Sequence, residues 1–270
     1  MDWNKRIYGH APGPCKTIKG IEFGAEDIEV LSDSLVLVTS GLRLRIGSRK
    51  EQHYVRGRIF ALTLTKGQEN VLPTSKEVTI KSETLTKDNF NPHGISSHKT
   101  PNGVIHVYVI NHRENASDSV ECFTYKKKEN VMYHQKTITD PLIYNANNLV
   151  ATGPERFYLT NDHYFRHALL QKLELATFSA LGNVIYYNGK TARIVDQWLQ
   201  SPNGVAINKN KTYISFTVNY ANPGAAFTVL VTGFSNVGLT VRVSLFIKDD
   251  LLLYLAYKYA VAAEKVVRSL

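Results

Sequence analysis

Cysteine is nearly missing from this chain of 270 residues: Cys15 and Cys122 are the only two. Two thiols make one bridge at most, so a disulfide scaffold is excluded, and no CxxC or Cys/His spacing offers a zinc site. Methionine is as scarce, and no uninterrupted apolar run approaches the roughly 20 residues of a membrane-spanning helix. The opening stretch MDWNKRIYGHAPGPC has no apolar core segment, so no signal peptide is expected in the chain as it stands. A basic stripe interleaved with aromatics is also lacking. The net charge of +9 comes from scattered Lys and Arg, whose densest run, Lys126-Lys127-Lys128, reads as a hairpin tip. That distribution argues against nucleic acid as a partner and supports only solubility and a mild pull toward anionic surfaces. No GxSxG elbow appears, which disfavours a serine hydrolase.

What the chain has in plenty is β-forming sequence. Tyr (15) and Phe (11) are abundant, and aromatics favour strands. The segments LVLVTSGLRL, VRGRIFALTLT, IHVYVINH, VECFTY, VIYYNG and TYISFTV are short, β-branched or aromatic, and broken by Gly, Asn and Lys. Only RHALLQKLELATFSALG has a helical period, and it is brief. Strands joined by short polar turns predict an all-β sandwich, barrel or propeller.

Internal repetition decides among these. EDIEVLSDSLVLVTS, HGISSHKTPNGVIHVYVIN, NNLVATGPERFYLTN and NGVAINKNKTYISF share one template: a polar head, an apolar alternation, a turn, then a Tyr- or Val-rich strand. Their starts lie roughly fifty to seventy residues apart, the length of a propeller blade. The heads are Glu26, His93, Asn147 and Asn203. The innermost strands of successive blades run along one channel, so equivalent heads converge, and a ring of Glu and Asn oxygens suits a hard cation such as Ca²⁺. A propeller without a ligand fits the pattern equally well. The neighbouring carboxylates Glu26 and Asp27 pose the sharpest question, since adjacent strand residues point to opposite faces; a solvated turn is the plain alternative. Two triplets, Asn115-Ala-Ser and Asn210-Lys-Thr, are acceptor sites for glycosylation in a secreted protein.

The motifs GIEFGAEDIEVL, FNPHGIS, VYVINH, NNLVATGPERFYLTNDHYF and SPNGVAIN, in that order and spacing from about Cys15 to Phe216, resemble the paraoxonase/arylesterase family. The resemblance implies a calcium-dependent six-bladed β-propeller that hydrolyses lactones and aryl esters, secreted or extracellular, with an affinity for lipid or lipoprotein surfaces. It implies that Glu26, Asn147 and Asn203 hold a catalytic calcium. A second, structural calcium would take Asp27, the Ile95 carbonyl and the position of Asn148. His93 matches the general base and His112 its partner in a His dyad, while Asp162 and His163 of TNDHYF are read as structural support.

Several departures qualify the resemblance. Asn148 stands where the family has an acidic residue, which should weaken the structural calcium. The apolar helix that opens family members is missing, and beyond TYISFTV the match dissolves into a tail with an apparent helix, DDLLLYLAYKYAVAAEKVVRSL. Two further ligands of the catalytic calcium, an Asp-Asn pair in the family, have no clear counterpart; Asp249 and Asp250 lie at about the right distance but read first as a helix N-cap. The family's disulfide partner for Cys15 is absent too. A six-bladed ring needs well over about 300 residues at this blade length. The expected organisation is therefore an N-terminal segment (1–14), an incomplete propeller of about four recognisable blades (15–218) and a divergent, partly helical C-terminal tail (219–270). An ester hydrolase of weak turnover and a non-catalytic propeller acting as a binding module both follow from that reading.

Overall fold

The computed structural model describes residues 18–21, 25–43, 55–64, 73–114, 116–211, 213–222, 225–234 and 240–242. Their alternating, β-branched segments form four antiparallel meanders. The first sheet is β1 (Ile28–Ser32), β2 (Leu35–Ser40), β3 (Arg58–Thr63) and β4 (Thr74–Glu77). The second runs β6 (Pro92–Lys99), β7 (Ile105–Asn111), β8 (Ser119–Lys126) and β9 (Val131–Ile138), with β5 (Thr79–Lys81) added in parallel outside β9. The third is β10 (Ala146–Gly153), β11 (Arg156–Asn161), β12 (Gly182–Tyr187) and β13 (Ala192–Leu199), interrupted by helix α1 (Ala168–Ala176). The fourth comprises β14 (Pro202–Ile207), β15 (Tyr213–Asn222), β16 (Ala225–Phe234) and β17 (Thr240–Arg242). The first strands pack against one another in the order β1, β6, β10, β14. These are four consecutive blades of a propeller, each headed by one copy of the repeated template.

Three cores fill the seams between blades, and strand alternation assigns each residue to a seam. Along β7, Val107 and Val109 enter the core shared with Leu37, Ile59 and Ile95, whereas Tyr108 and Ile110 enter the one shared with Leu149, Phe157 and Leu159. Along β11, Phe157 and Leu159 face the second blade, and Tyr158 turns to Ile214, Phe216 and Val218 of the fourth. Each fully buried aliphatic or aromatic side chain contributes about 1.5–3 kcal/mol of transfer free energy. Period-two patterning thus fixes both the blade and its neighbours.

The one helix of the described residues is α1, where the helical period was expected. The fourth sheet runs on to Arg242, so the boundary expected at 218 falls inside β15. Cys15, Asp249, Asp250 and the expected C-terminal helix lie outside the described residues. Cys122 is buried and free, within the core between the second and third blades.

Candidate active site at the blade heads

The template heads sit on a recurring irregularity. In the second, third and fourth blades, four residues of the inner strand span three of its partner: Pro92 to Ile95 against Asn111 to Val109, Ala146 to Leu149 against Asn161 to Leu159, and Pro202 to Val205 against Val218 to Phe216. Each is a β-bulge, and its extra residue breaks the in-out alternation, re-aiming the head side chain. His93-Gly94, Asn147-Asn148 and Asn203-Gly204 are the bulged pairs. In the first blade Glu26-Asp27 immediately precedes β1.

Buried threonines hold two of these turns in the same way. Thr39 Oγ1 accepts the Asp27 amide at 3.1 Å, and Thr160 Oγ1 accepts the Asn148 amide at 3.1 Å. Asp27 Oδ1 accepts the Ile28 amide and Asn148 Oδ1 accepts the Leu149 amide, at 2.8 and 2.6 Å. Thr160 also donates to the Asn203 carbonyl at 2.6 Å, tying the third head to the fourth. Gly94 is required where β6 meets β10: a Cβ there would lie 2.7 Å from Asn148 Cα and 2.8 Å from the Asn147 carbonyl oxygen.

The neighbouring carboxylates Glu26 and Asp27 have separate partners. Asp27 Oδ2 accepts the Ile95 amide at 2.8 Å, across the seam to the second blade. Glu26 turns the other way, its Oε1 lying 3.1 Å from His93 Nε2. Burial pushes the Asp27 carboxyl above its ordinary range, against the opposing pull of the Ile95 and Ile28 amides and of His93. Glu29, also raised by burial, repeats the seam contact by accepting the Ser97 amide at 2.8 Å and the Ser97 hydroxyl at 2.5 Å.

From Glu26 a line of side chains runs inward. His93 Nδ1 is 2.8 Å from His112 Nε2, and His112 Nδ1 is 3.1 Å from Asp118 Oδ1. Asp118 Oδ2 accepts the Ala146 amide at 2.8 Å. The Glu26 side chain is 39% exposed and that of Asp118 1%, so the line has one solvent-facing end and one buried end. The expected pairing of His93 with His112 is therefore present, while Asp118 and the contact of Glu26 with His93 were not foreseen.

The third blade has its own version. Asp162 follows the strand-ending Asn161 as His112 follows Asn111, and it likewise faces its blade's head: Asp162 Oδ2 is 3.4 Å from Asn147 Nδ2. Asp162 Oδ1 is 2.8 Å from His163 Nδ1. Burial alone would lower the His163 pKa, but the hydrogen bond and charge of Asp162, with the charge of Glu174, leave it raised. Glu174 reaches back from α1 to accept the Tyr164 and Phe165 amides at 3.1–3.2 Å. Asp162 thus contacts the Asn147 head directly, and His163 contacts Asp162.

The donor set at the heads consists of hard oxygens: the carboxylates of Glu26 and Asp27 and the carboxamides of Asn147, Asn148 and Asn203. That chemistry fits calcium rather than a soft metal. Among the described residues no group of three His, Cys, Asp or Glu forms a metal cluster, and the oxygens at the heads come from carboxamides as well as carboxylates. With Asp162 on the nitrogen of Asn147, its Oδ1 is the atom left for an ion. Both Asp27 oxygens and the Asn148 oxygen already accept backbone amides, though carboxylate and amide oxygens carry a second lone pair.

Four blade heads, three of them bulged, and a histidine pair make up the candidate site. The family model described as Arylesterase matches residues 9–223, and the chain belongs to that family. It is 35% identical over 200 residues to human (Homo sapiens) serum paraoxonase/arylesterase 1, covering 74% of this chain and 55% of the relative. It is 36% identical over 200 residues to serum paraoxonase/arylesterase 2 of Gallus gallus (74% and 54%). It is 34% identical over 203 residues to serum paraoxonase/lactonase 3 of Oryctolagus cuniculus (75% and 55%). The chain spans about half the length of these curated relatives. Among solved structures, an endo-arabinase from Bacteroides thetaiotaomicron overlaps loosely (10% identity, TM-score 0.49, 88% of this chain and 86% of that one). So loose an overlap does not bear on the site.

Proposed function

We propose that the chain carries the water-activating part of a calcium-dependent hydrolase of lactones and aryl esters. The observation that carries this reading is the line Glu26–His93–His112–Asp118 at the blade heads of an arylesterase family member. Glu26, Asn147 and Asn203 would hold the catalytic ion; Asp27, the Ile95 carbonyl and Asn148 would hold a second, weakened by an amide in place of a carboxylate. A bound calcium supplies a Lewis acid for the ester carbonyl. His93 does the proton work: its Nε2 takes the proton of the attacking water, and His112 and Asp118 behind it stabilise the imidazolium that forms.

Proton counting supports a role for Glu26 in this site. Three contacts join the four groups, and each hydrogen bond needs one proton, whereas two neutral imidazoles bring two. While Glu26 closes the line, a third proton must sit in it. Only when Glu26 turns to a cation does His93 Nε2 present a free lone pair.

Helix α1 supports the lipid-surface partner suggested by the resemblance. Its polar Gln171 and Glu174 are buried, while Leu169 (61%), Leu173 (52%) and the preceding Tyr164 (56%) are exposed. Such an inverted helix presents an apolar face outward, as interfacial helices do. Asn210, an acceptor site that a secreted protein could glycosylate, is exposed in the turn before β15. The described residues contain no helix long and apolar enough to cross a membrane.

Hydrolysis of a γ- or δ-lactone and of phenyl acetate, with added calcium and with chelator, tests the proposal. Calcium-dependent turnover is expected, weakened by the amide of Asn148 in place of a carboxylate. A folded chain with no turnover at any calcium concentration would leave the non-catalytic binding module as the better reading.

A further inference from the structure

We propose that Asp118 is the positioning residue that sets the direction of the two-histidine line, and so decides which end of His93 is the base. This rests on the reading of His93 as general base. A carboxylate only accepts hydrogen bonds. With Asp118 Oδ1 3.1 Å from His112 Nδ1, that nitrogen carries the proton and His112 Nε2 presents its lone pair. His93 Nδ1, 2.8 Å from that lone pair, must then donate. The lone pair of His93 is left on Nε2, the atom that faces Glu26 and the blade heads. Each assignment follows from the one behind it, and the whole polarity originates at a residue on the opposite side of His112 from His93.

Asp118 is built to hold that position. It is 1% exposed and precedes β8 directly, and its second oxygen accepts the Ala146 amide at 2.8 Å. Ala146 neighbours Asn147, so one carboxylate fixes the histidine line of the second blade and the head of the third together. A buried acceptor behind an imidazole that fixes its tautomer is the logic by which an aspartate orients the histidine of a serine-protease triad.

The isosteric Asp118→Asn variant inverts this polarity. Its Oδ1 keeps the Ala146 amide, which presents Nδ2 to His112. His112 Nδ1 must then accept, Nε2 donates to His93 Nδ1, and His93 Nε2 is protonated and no longer a base. Protein labelled with ¹⁵N-histidine reads the tautomers directly from long-range ¹H–¹⁵N spectra, with the imidazoles neutral. Wild type is expected to show His112 Nδ1 as the protonated nitrogen and the Asp118→Asn variant to show Nε2. kcat for lactone hydrolysis should fall by about 10²–10⁴-fold with little change in KM, and Asp118→Glu should restore part of it.

A wild-type spectrum with His112 Nδ1 unprotonated would overturn the proposal whatever the variant does. So would an Asp118→Asn variant that keeps the wild-type tautomers, or one that inverts them without lowering kcat. Should wild type prove inactive, the hydrolase reading fails, and the spectra still decide the role of Asp118.

Discussion

Asp27 accepts the backbone amide of Ile95 across the seam between the first two blades, a carboxylate standing in for the neighbouring strand that a propeller's inner strand lacks. Two residues on, Glu29 does the same for Ser97. Both carboxyls are buried enough to lie above their ordinary values of 3.8 and 4.5.

A pH dependence follows with a definite sign. A group whose folded pKa is raised binds more protons folded than unfolded between the two values. Its stabilisation is complete below the ordinary value and is lost as pH rises through the raised one. In chelator, the urea midpoint should therefore climb as pH falls from neutral toward 5. Glu29→Gln should flatten that climb while keeping an acceptor for Ser97. A variant with the wild-type slope would show that Glu29 does not titrate differently on folding.

Thr39 and Thr160 occupy equivalent places but do unequal work. Each is fully buried and accepts the amide of the head's second residue; only Thr160 also donates to the Asn203 carbonyl, across a blade seam. Leaving buried partners unsatisfied costs about 1–3 kcal/mol. Thr160→Val should be destabilising by that amount, and by more than Thr39→Val, in chemical denaturation. Equal costs would mean that the third and fourth heads are held together by something else.

Much of this was legible in the sequence, for physical reasons that differ by residue. The blades were, because alternation such as Val107-Tyr108-Val109-Ile110 sorts side chains into two seams without reference to anything distant. The heads Glu26, His93, Asn147 and Asn203 were, because the same fold forces the same local pattern four times. The second-strand positions His112 and Asp162 were read from the resemblance alone, although aligning VYVINH on FYLTND also sets one over the other, and each faces its own head. Asp118 could not. It sits in the connection from β7 to β8, has no counterpart in the template, and reaches His112 only through the path of that loop. Bulges were also invisible, since an extra residue in a strand changes register without changing composition.

Cys122 should be chemically silent in the folded protein. It packs between the second and third blades, and burial pushes its thiol up to about 12. At pH 8 almost none is thiolate, the form that reacts. Iodoacetamide labelling followed by peptide mapping should leave Cys122 unmodified in buffer and modify it fully in urea. Rapid labelling under native conditions would show that the seam between these blades opens readily.

The last prediction separates the two roles assigned to neighbouring side chains. Glu26 is partly exposed and at the solvent end of the histidine line, and in the proposed site its carboxylate is the larger share of the charge offered to the catalytic ion. Glu26→Gln keeps the shape and removes that charge; calcium affinity measured by titration calorimetry should drop on the order of tenfold or more. His93 makes no such contribution. Its Nδ1 is committed to His112, and in the proposed mechanism its Nε2 accepts a proton rather than ligating the ion. His93→Gln should therefore leave calcium affinity close to wild type and reduce lactone turnover by about two to four orders of magnitude. The division is sharp enough to fail in either direction. Loss of calcium binding in His93→Gln would make His93 part of the ion site. Undiminished turnover in His93→Gln would take the base away from it, and would leave the line from Glu26 to Asp118 as structural bracing between the second and third blades.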